Sequence, residues 1–275
     1  DGESTDESVE IIEKYAPWID YWASERDRGQ THAINKGIEQ ATGEIFNWIN
    51  SDDYLARNAL NRVSNCFLKS ADTDIVAGYN RRFWHDTGEL VEEYRVTLCE
   101  TLEESVLGHG FTQPPTFFRL PVLRDIGPFN EELDFIMDTE MFIRYLLQRG
   151  QQRIVFDESV LTHYRLHMTS KTVAQSSEFG RERQEVLRSL RRLLEERLSY
   201  RKEFNGMLHI NGIFCGLNRE KLYGRLAFRE FAKYTNVPLT RRLVYLLRAV
   251  RHSPAVCLRN WRVIAGALRD YLLPK

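Results

Sequence analysis

Two acids stand together at the end of an apolar run. Residues 45–49 read Ile-Phe-Asn-Trp-Ile and lead straight into Asn50-Ser51-Asp52-Asp53. Adjacent carboxylates at the end of a buried strand suit a hard ion, Mg2+ or Mn2+, shared with a substrate's phosphates. An Asp-rich turn capping the next helix would use the same residues. Further on, Asp138-Thr139-Glu140 opens a helical pattern that continues to Arg144. A carboxylate there is either a simple cap, stabilised by the helix dipole, or a general base facing a substrate. Asp1-Gly2-Glu3-Ser4-Thr5-Asp6 is turn chemistry. Asp27-Arg28-Gly29-Gln30 puts an arginine and a glycine just before a helical pattern, the makings of an anion site. Neither a GxGxxG fingerprint nor a Walker A loop occurs.

The elements that must position these residues alternate. Residues 19–23, 45–49, 75–77 and 153–156 read as strands. The segments around residues 9–15, 31–41, 60–68 and 141–147 have helical spacing. Residues 82–84 and 90–94 can pair as a hairpin. Strands alternating with helices predict an α/β domain on a mixed, mainly parallel sheet. Trp48 and Trp84 read as core, and His32 and His109 as surface residues.

From residue 173 the character changes. Apolar residues recur at helical spacing among many charges, which predicts a helical extension over 173–275. The chain of 275 residues has a formal net charge of −1. Residues 181–275 nevertheless hold 21 Lys+Arg against 8 Asp+Glu, so an acidic front carries a basic tail. Within 231–275 nine basic residues meet one acid, Asp270. Leu239, Leu243, Leu246, Leu247 and Val250 form one apolar stripe, and Leu258, Trp261, Ala265, Leu268 and Leu272 another. Such stripes beside arginines suit an anionic membrane surface; they equally suit packing on the front domain or on a second subunit in an oligomer. Nucleic acid is not expected, because no aromatic residues interleave with the basic ones as a stacking platform.

Composition excludes several classes. With 43% hydrophobic and 28% charged residues, the chain is neither disordered nor fibrous. Its four cysteines form no CxxC pair, which argues against a zinc knuckle and for a reducing, cytoplasmic setting. No charge-free stretch reaches the roughly 18 residues of a membrane span.

In order and spacing the motifs resemble those of family 2 glycosyltransferases, inverting enzymes with the GT-A fold. The pieces are DGESTD at 1–6, DRGQTHAINKG at 27–37, ATGEIFNWINSDD at 41–53, TQPPTFFR at 112–119, IGPFNEEL at 126–133, MDTEMFIRYLLQRG at 137–150 and YRLHMTSKT at 164–172. The resemblance covers residues 1–172 and implies a GT-A catalytic domain there, followed by the basic helical extension. Family members carry a strand and helix ahead of the DGxSxD motif, so the resemblance implies that about one βα unit, roughly 35 residues, precedes Asp1 in such proteins.

The resemblance also implies roles. Asp1 would bond the uracil of a UDP-sugar donor, and Arg28 would lie near the nucleotide or diphosphate. Asp52 would touch the ribose or donor sugar. Asp53 would bind Mn2+ or Mg2+ bridging the phosphates, with His167 as a further metal ligand, a phosphate contact or a plain loop histidine. Asp138 would take the proton from the hydroxyl of a saccharide or lipid-linked acceptor. Glu140 and Arg144 would organise that helix or the acceptor pocket, and Gln113-Pro114-Pro115-Thr116 would line the acceptor side. The implied enzyme builds a surface polysaccharide or glycolipid, peripheral on the inner face of the cell membrane. A degenerate sugar-nucleotide-binding module and a metal-dependent nucleotidyltransferase are the alternatives.

Overall fold

The computed structural model describes residues 1–195, 217–233 and 239–272. Helix α1 (Ser8–Tyr15) ends in a 3-10 turn at Ala16–Trp18, where Pro17 stops it. Then come α2 (Gln30–Gln40), β1 (Ile45–Phe46), β2 (Tyr54–Leu55), α3 (Ala59–Lys69), β3 (Ile75–Trp84) and β4 (Leu90–Arg95). They are followed by α4 (Leu102–Gly108), β5 (Thr116–Arg119), α5 (Leu120–Ile126), α6 (Met137–Arg149) and β6 (Ile154–Leu166). Six helices complete the described chain: α7 (Lys171–Ala174), α8 (Ser176–Glu195), α9 (Arg219–Lys233), α10 (Leu239–His252), α11 (Pro254–Arg259) and α12 (Trp261–Leu272).

The fold is α/β with a curled mixed sheet in the order β1-β5-β3-β6-β2, and β4 also pairs with β3. The expectation of a mainly parallel sheet is corrected here. Among the described residues only β3 and β6 run parallel, and the other pairings are antiparallel. The reason is local. The hairpin turn after Trp84 folds β4 back along β3, and β5 enters from a loop rather than through a crossover. Both share one edge of β3, β5 taking Ile75 to Ala77 and β4 taking Tyr79 to Phe83. The change of partner falls at Gly78, where the register with β6 also shifts. A side chain there would come within 2.5 Å of Leu161 Cγ, so glycine is required for the close approach of β6.

Period two divides the sheet between two cores. Ile75, Ala77 and Phe118 face the main core with α5 and α6; Val76 and Phe117 face Val63 and Phe67 of α3. The main core continues past residue 172, because Val186, Leu187, Leu190 and Leu193 of α8 belong to it. A separate apolar cluster joins α9 to α10, α11 and α12 through Phe228, Phe231, Ala249 and Val256. Cys215 and Lys275 lie outside the described residues, as do the side chains of Leu239, Arg241, Asp270 and Leu272.

Two expected strands fall short. Residues 19–23 form none; their ladder is limited to Asp1, whose amino group donates to Ala23 O and whose carbonyl accepts from Glu25 N. Of residues 45–49 only Ile45 and Phe46 pair, opposite Arg119 and Phe118. Continuing the register would set Asn47 and Trp48 opposite Phe117 and Thr116, and Ile49 and Asn50 opposite Pro115 and Pro114, which have no N–H to donate. Side chains replace the missing bonds. Asn47 Nδ2 donates to Pro114 O and Thr116 O, and Gln113 Nε2 donates to Trp48 O.

Candidate active site

The interrupted strand creates an opening. Beyond Phe46 the chain leaves the ladder and turns at residues 50–53. There it meets the segment before β5, the loop before α6 and the segment after β6. Together they enclose a cleft of about 590 Å3. Asp52, Asp138 and His167 all line it.

Asp52 and His167 form a pair. Asp52 Oδ2 lies 3.0 Å from His167 Nε2, while His167 Nδ1 lies 2.8 Å from Thr169 Oγ1. Each side chain keeps about a third of its surface exposed. Asp53, by contrast, is buried and does not line the cleft. Its Oδ1 accepts from Arg165 N at 2.9 Å, and its Oδ2 lies 3.4 Å from Asn50 Nδ2. Burial, with a smaller push from the Asp52 charge, raises its carboxyl to about 6. Of the two adjacent acids, the one facing the cleft is therefore Asp52, and Asp53 fastens the turn to β6.

Asp138 sits in the first turn of α6 and is half-buried at the cleft wall. Thr139 N donates to its Oδ1 at 2.6 Å. Desolvation nevertheless wins over that bond and pushes the carboxyl up to about 6. The loop leading to it is clamped by Glu182 of α8. Asp134 N, Phe135 N and Ile136 N donate to the Glu182 carboxylate at 3.0, 2.9 and 3.1 Å. Further along α6, Glu140 and Arg144 form a buried ion pair. The same guanidinium donates to Ile126 O and Pro128 O, which fixes the end of α5 against α6.

Other expected residues lie elsewhere. Asp1 accepts from Ser4 N, Ser4 Oγ and Ser24 Oγ at the surface. Arg28 is bound to Glu131, with Nη2 to Oε2 at 2.5 Å. Neither lines the cleft. Gln30 does, and its Nε2 donates to Asn50 Oδ1 at 2.9 Å. Trp48 lines the cleft while packing on Phe118 and Phe129, and Gln113 and Pro114 form part of the wall. His109, expected at the surface, is buried. Its Nδ1 lies 2.8 Å from Ser105 O and its ring meets the edge of Phe142. Two cleft cations, Arg82 and Lys171, went unread in the sequence as site residues. Arg82 could have been found only by knowing the sheet register, whereas Lys171 lies in the quoted YRLHMTSKT segment.

Comparison with known proteins fits this geometry. Residues 1–121 match the family model described as glycosyl transferase family 2. The match spans the segment that carries Asp1, Arg28, Asp52 and Asp53. Bacterial glycosyltransferases are also similar to the chain. An uncharacterized glycosyltransferase of Rickettsia felis is 27% identical over 185 residues, covering 62% of this chain but 29% of that protein. The putative glycosyltransferase EpsH of Bacillus subtilis is 25% identical over 257 residues, covering 85% of this chain and 71% of that protein. Among solved structures, Staphylococcus aureus TarS 1–349 aligns with a TM-score of 0.53 at 20% identity, over 91% of this chain and 68% of that one. The chain therefore shares a GT-A-like fold with TarS over most of its length.

Proposed function

We propose that the chain transfers a sugar from a nucleotide-diphosphate sugar, of the UDP type, to a hydroxyl of a saccharide or lipid-linked acceptor, with inversion. The observation that carries this reading is the convergence of Asp52, His167 and Asp138 on one cleft. The TarS structures in complex with UDP and with UDP-GlcNAc, at TM-scores of 0.53 and 0.54, favour a uridine donor.

Asp138 accepts the proton of the acceptor hydroxyl as its oxygen attacks the anomeric carbon. The bond from that carbon to the diphosphate oxygen breaks on the opposite face, so one displacement inverts the centre and no enzyme nucleophile is needed. A carboxyl near 6 is basic enough to take the proton and ionised enough at neutral pH to be ready for it. Glu182 holds the loop that aims Asp138. Lys171, whose Nζ donates to Asp134 O at 3.3 Å, and Arg82 supply positive charge to the cleft.

The Asp52 and His167 pair fits a divalent ion. A carboxylate oxygen and an imidazole nitrogen 3.0 Å apart suit Mn2+ or Mg2+. Among the described residues no group of three His, Cys, Asp or Glu side chains is gathered, so a diphosphate and water would complete the shell. When bound, the ion would offset the charge growing on the leaving diphosphate. The ligand role expected of Asp53 thus passes to Asp52.

Asp138→Asn tests the reading. Loss of a general base predicts a fall in kcat of about 10²–10⁴-fold with donor binding intact, read as nucleoside diphosphate release. A loss confined to donor affinity would make Asp138 a binding residue instead.

The C-terminal helices suggest where the reaction happens. Each apolar stripe is split. Leu243, Leu246 and Leu268 pack against the α9 cluster. Leu247, Leu258 and Trp261 stay exposed, next in sequence to Arg248, Arg259 and Arg262. No helix among the described residues is long and apolar enough to cross a membrane. The exposed residues fit an anionic leaflet instead, each basic group contributing about 1 kcal/mol. The full chain should sediment with anionic vesicles and not with neutral ones. Equal binding to both kinds breaks this part of the proposal.

A further inference from the structure

Helices α8 and α9 face each other across a second cavity, of about 160 Å3. Leu187 and Leu226 give it an apolar floor, and Arg183, Arg229 and Lys233 bring three positive charges to its wall. Glu230 also lines it, but Oε1 of that carboxylate lies 3.3 Å from Arg191 Nε, so it already faces a cation of its own. Among the described residues no carboxylate forms an ion pair with the other three cations.

The cations act on one another. Burial, and then the Arg229 charge, lowers the Arg183 guanidinium, and burial lowers that of Arg229. The Lys233 ammonium is lowered first by Arg229. His109, buried nearby, is held down to about 4 by burial and then by the Arg183 charge. Lys233 and Arg183 thus both feel the charge of Arg229. Capping α4 explains only part of this. Arg229 Nη1 donates to Leu107 O at the end of that helix, and Arg183 Nη2 reaches the same oxygen at 3.4 Å. One carbonyl leaves most guanidinium N–H groups unspent and does nothing for Lys233. Like charges gathered at a partly buried cavity cost stability, and an anion seated among them would reverse that cost. Two guanidiniums and an ammonium are the donor set of a phosphate site.

The position is informative. Phe179 lines the main cleft, and Arg183 stands one turn further along α8, a rise of about 6 Å on nearly the same face. On the other side, Leu107 precedes Phe111, which also lines the cleft, by one short loop. We propose that the cavity between α8 and α9 is a phosphate-ester subsite, and that the acceptor of the transfer reaction carries that phosphate. The second half rests on the glycosyl-transfer reading; the first half does not.

The test is direct binding to the full chain by calorimetry. Three probes are used: inorganic phosphate, a hexose 1-phosphate and a short-chain phosphatidic acid kept monomeric. Lys233→Gln is the main variant, because the side chain is exposed and its loss leaves the fold intact. Lys171→Gln, in the main cleft, is the control. We expect saturable binding of at least one probe, weakened about tenfold by Lys233→Gln and unchanged by Lys171→Gln. Tighter binding of the hexose phosphate assigns the subsite to a phosphorylated saccharide, and tighter binding of phosphatidic acid to a lipid phosphate. The proposal is overturned if no probe binds, if Lys233→Gln binds like the parent chain, or if Lys171→Gln alone abolishes binding. No donor or turnover enters the measurement, so its failure is distinct from failure of the glycosyl-transfer reading.

Discussion

Helices α6 and α8 serve the same carboxylate in different ways. Helix α6 carries Asp138 itself, and it is buried along nearly its whole length. Helix α8 contributes no reacting group. Its inner face places Val186 and Leu190 in the main core, and Glu182 receives the three N–H groups of the loop before Asp138. On the proposed reading, position and chemistry are thus divided between Asp138 and Glu182, some forty residues apart. The boundary expected at residue 172 separates them in sequence, but the core does not.

That division can be broken at its apolar half first, where the effect is largest. Leu190 is fully buried. Leu190→Ala should cost about 2–5 kcal/mol of stability, read by chemical denaturation. Turnover well below the melting temperature should stay near that of the parent chain. If the stability loss were instead close to zero, α8 would be an appendage, as the sequence suggested.

Glu182 is the polar half, with a smaller effect on a different observable. Glu182→Gln keeps one acceptor oxygen but turns an NH2 group toward three N–H donors. A charged hydrogen-bond acceptor of this kind is worth about 1.5–3 kcal/mol, so kcat should fall about tenfold or more. The KM for the donor should hold, and the pH midpoint of kcat should stay where Asp138 sets it. A lower melting temperature with unchanged kcat would reduce Glu182 to a structural contact.

The contrast also explains what the sequence could reveal. Residues that line or border the cleft were legible where a short motif carries both residue type and local structure. Asp138 at the start of a helical pattern and the Asp52-Asp53 pair after an apolar run are such cases. Helices α2, α3 and α6 followed from apolar spacing. What stayed hidden depends on partners distant in sequence. Glu182 stands between Arg181 and Arg183 and reads as one charge on a solvated helix face. Strand β5 begins at Thr116, directly after two prolines, and reads as part of their loop. The choice between Asp52 and Asp53 needed Arg165, whose backbone N–H holds the latter. His109 reads as exposed because nothing local announces that Phe142 will cover it.

The finest test separates the two neighbouring acids. Asp53 and Asp138 both have carboxyls raised to about 6 from an ordinary value of 3.8. A carboxyl raised on folding favours its protonated form, so its contribution to stability is fully present below about pH 4. That contribution is lost as pH rises through about 6. The parent chain should therefore lose stability between pH 4 and 7 from both groups. Asp53→Asn should flatten part of that slope, because the amide oxygen can still accept from Arg165 N without carrying a buried charge. Its donor affinity in the presence of Mn2+ should change little, since the carboxylate facing the cleft is that of Asp52. Asp52→Asn should instead weaken Mn2+-dependent donor binding; it removes only the smaller push on the Asp53 carboxyl, so most of the pH slope should remain. If Asp53→Asn were the variant that lost Mn2+-dependent binding, the ligand role would return to Asp53, and the turn would have to open when the donor enters.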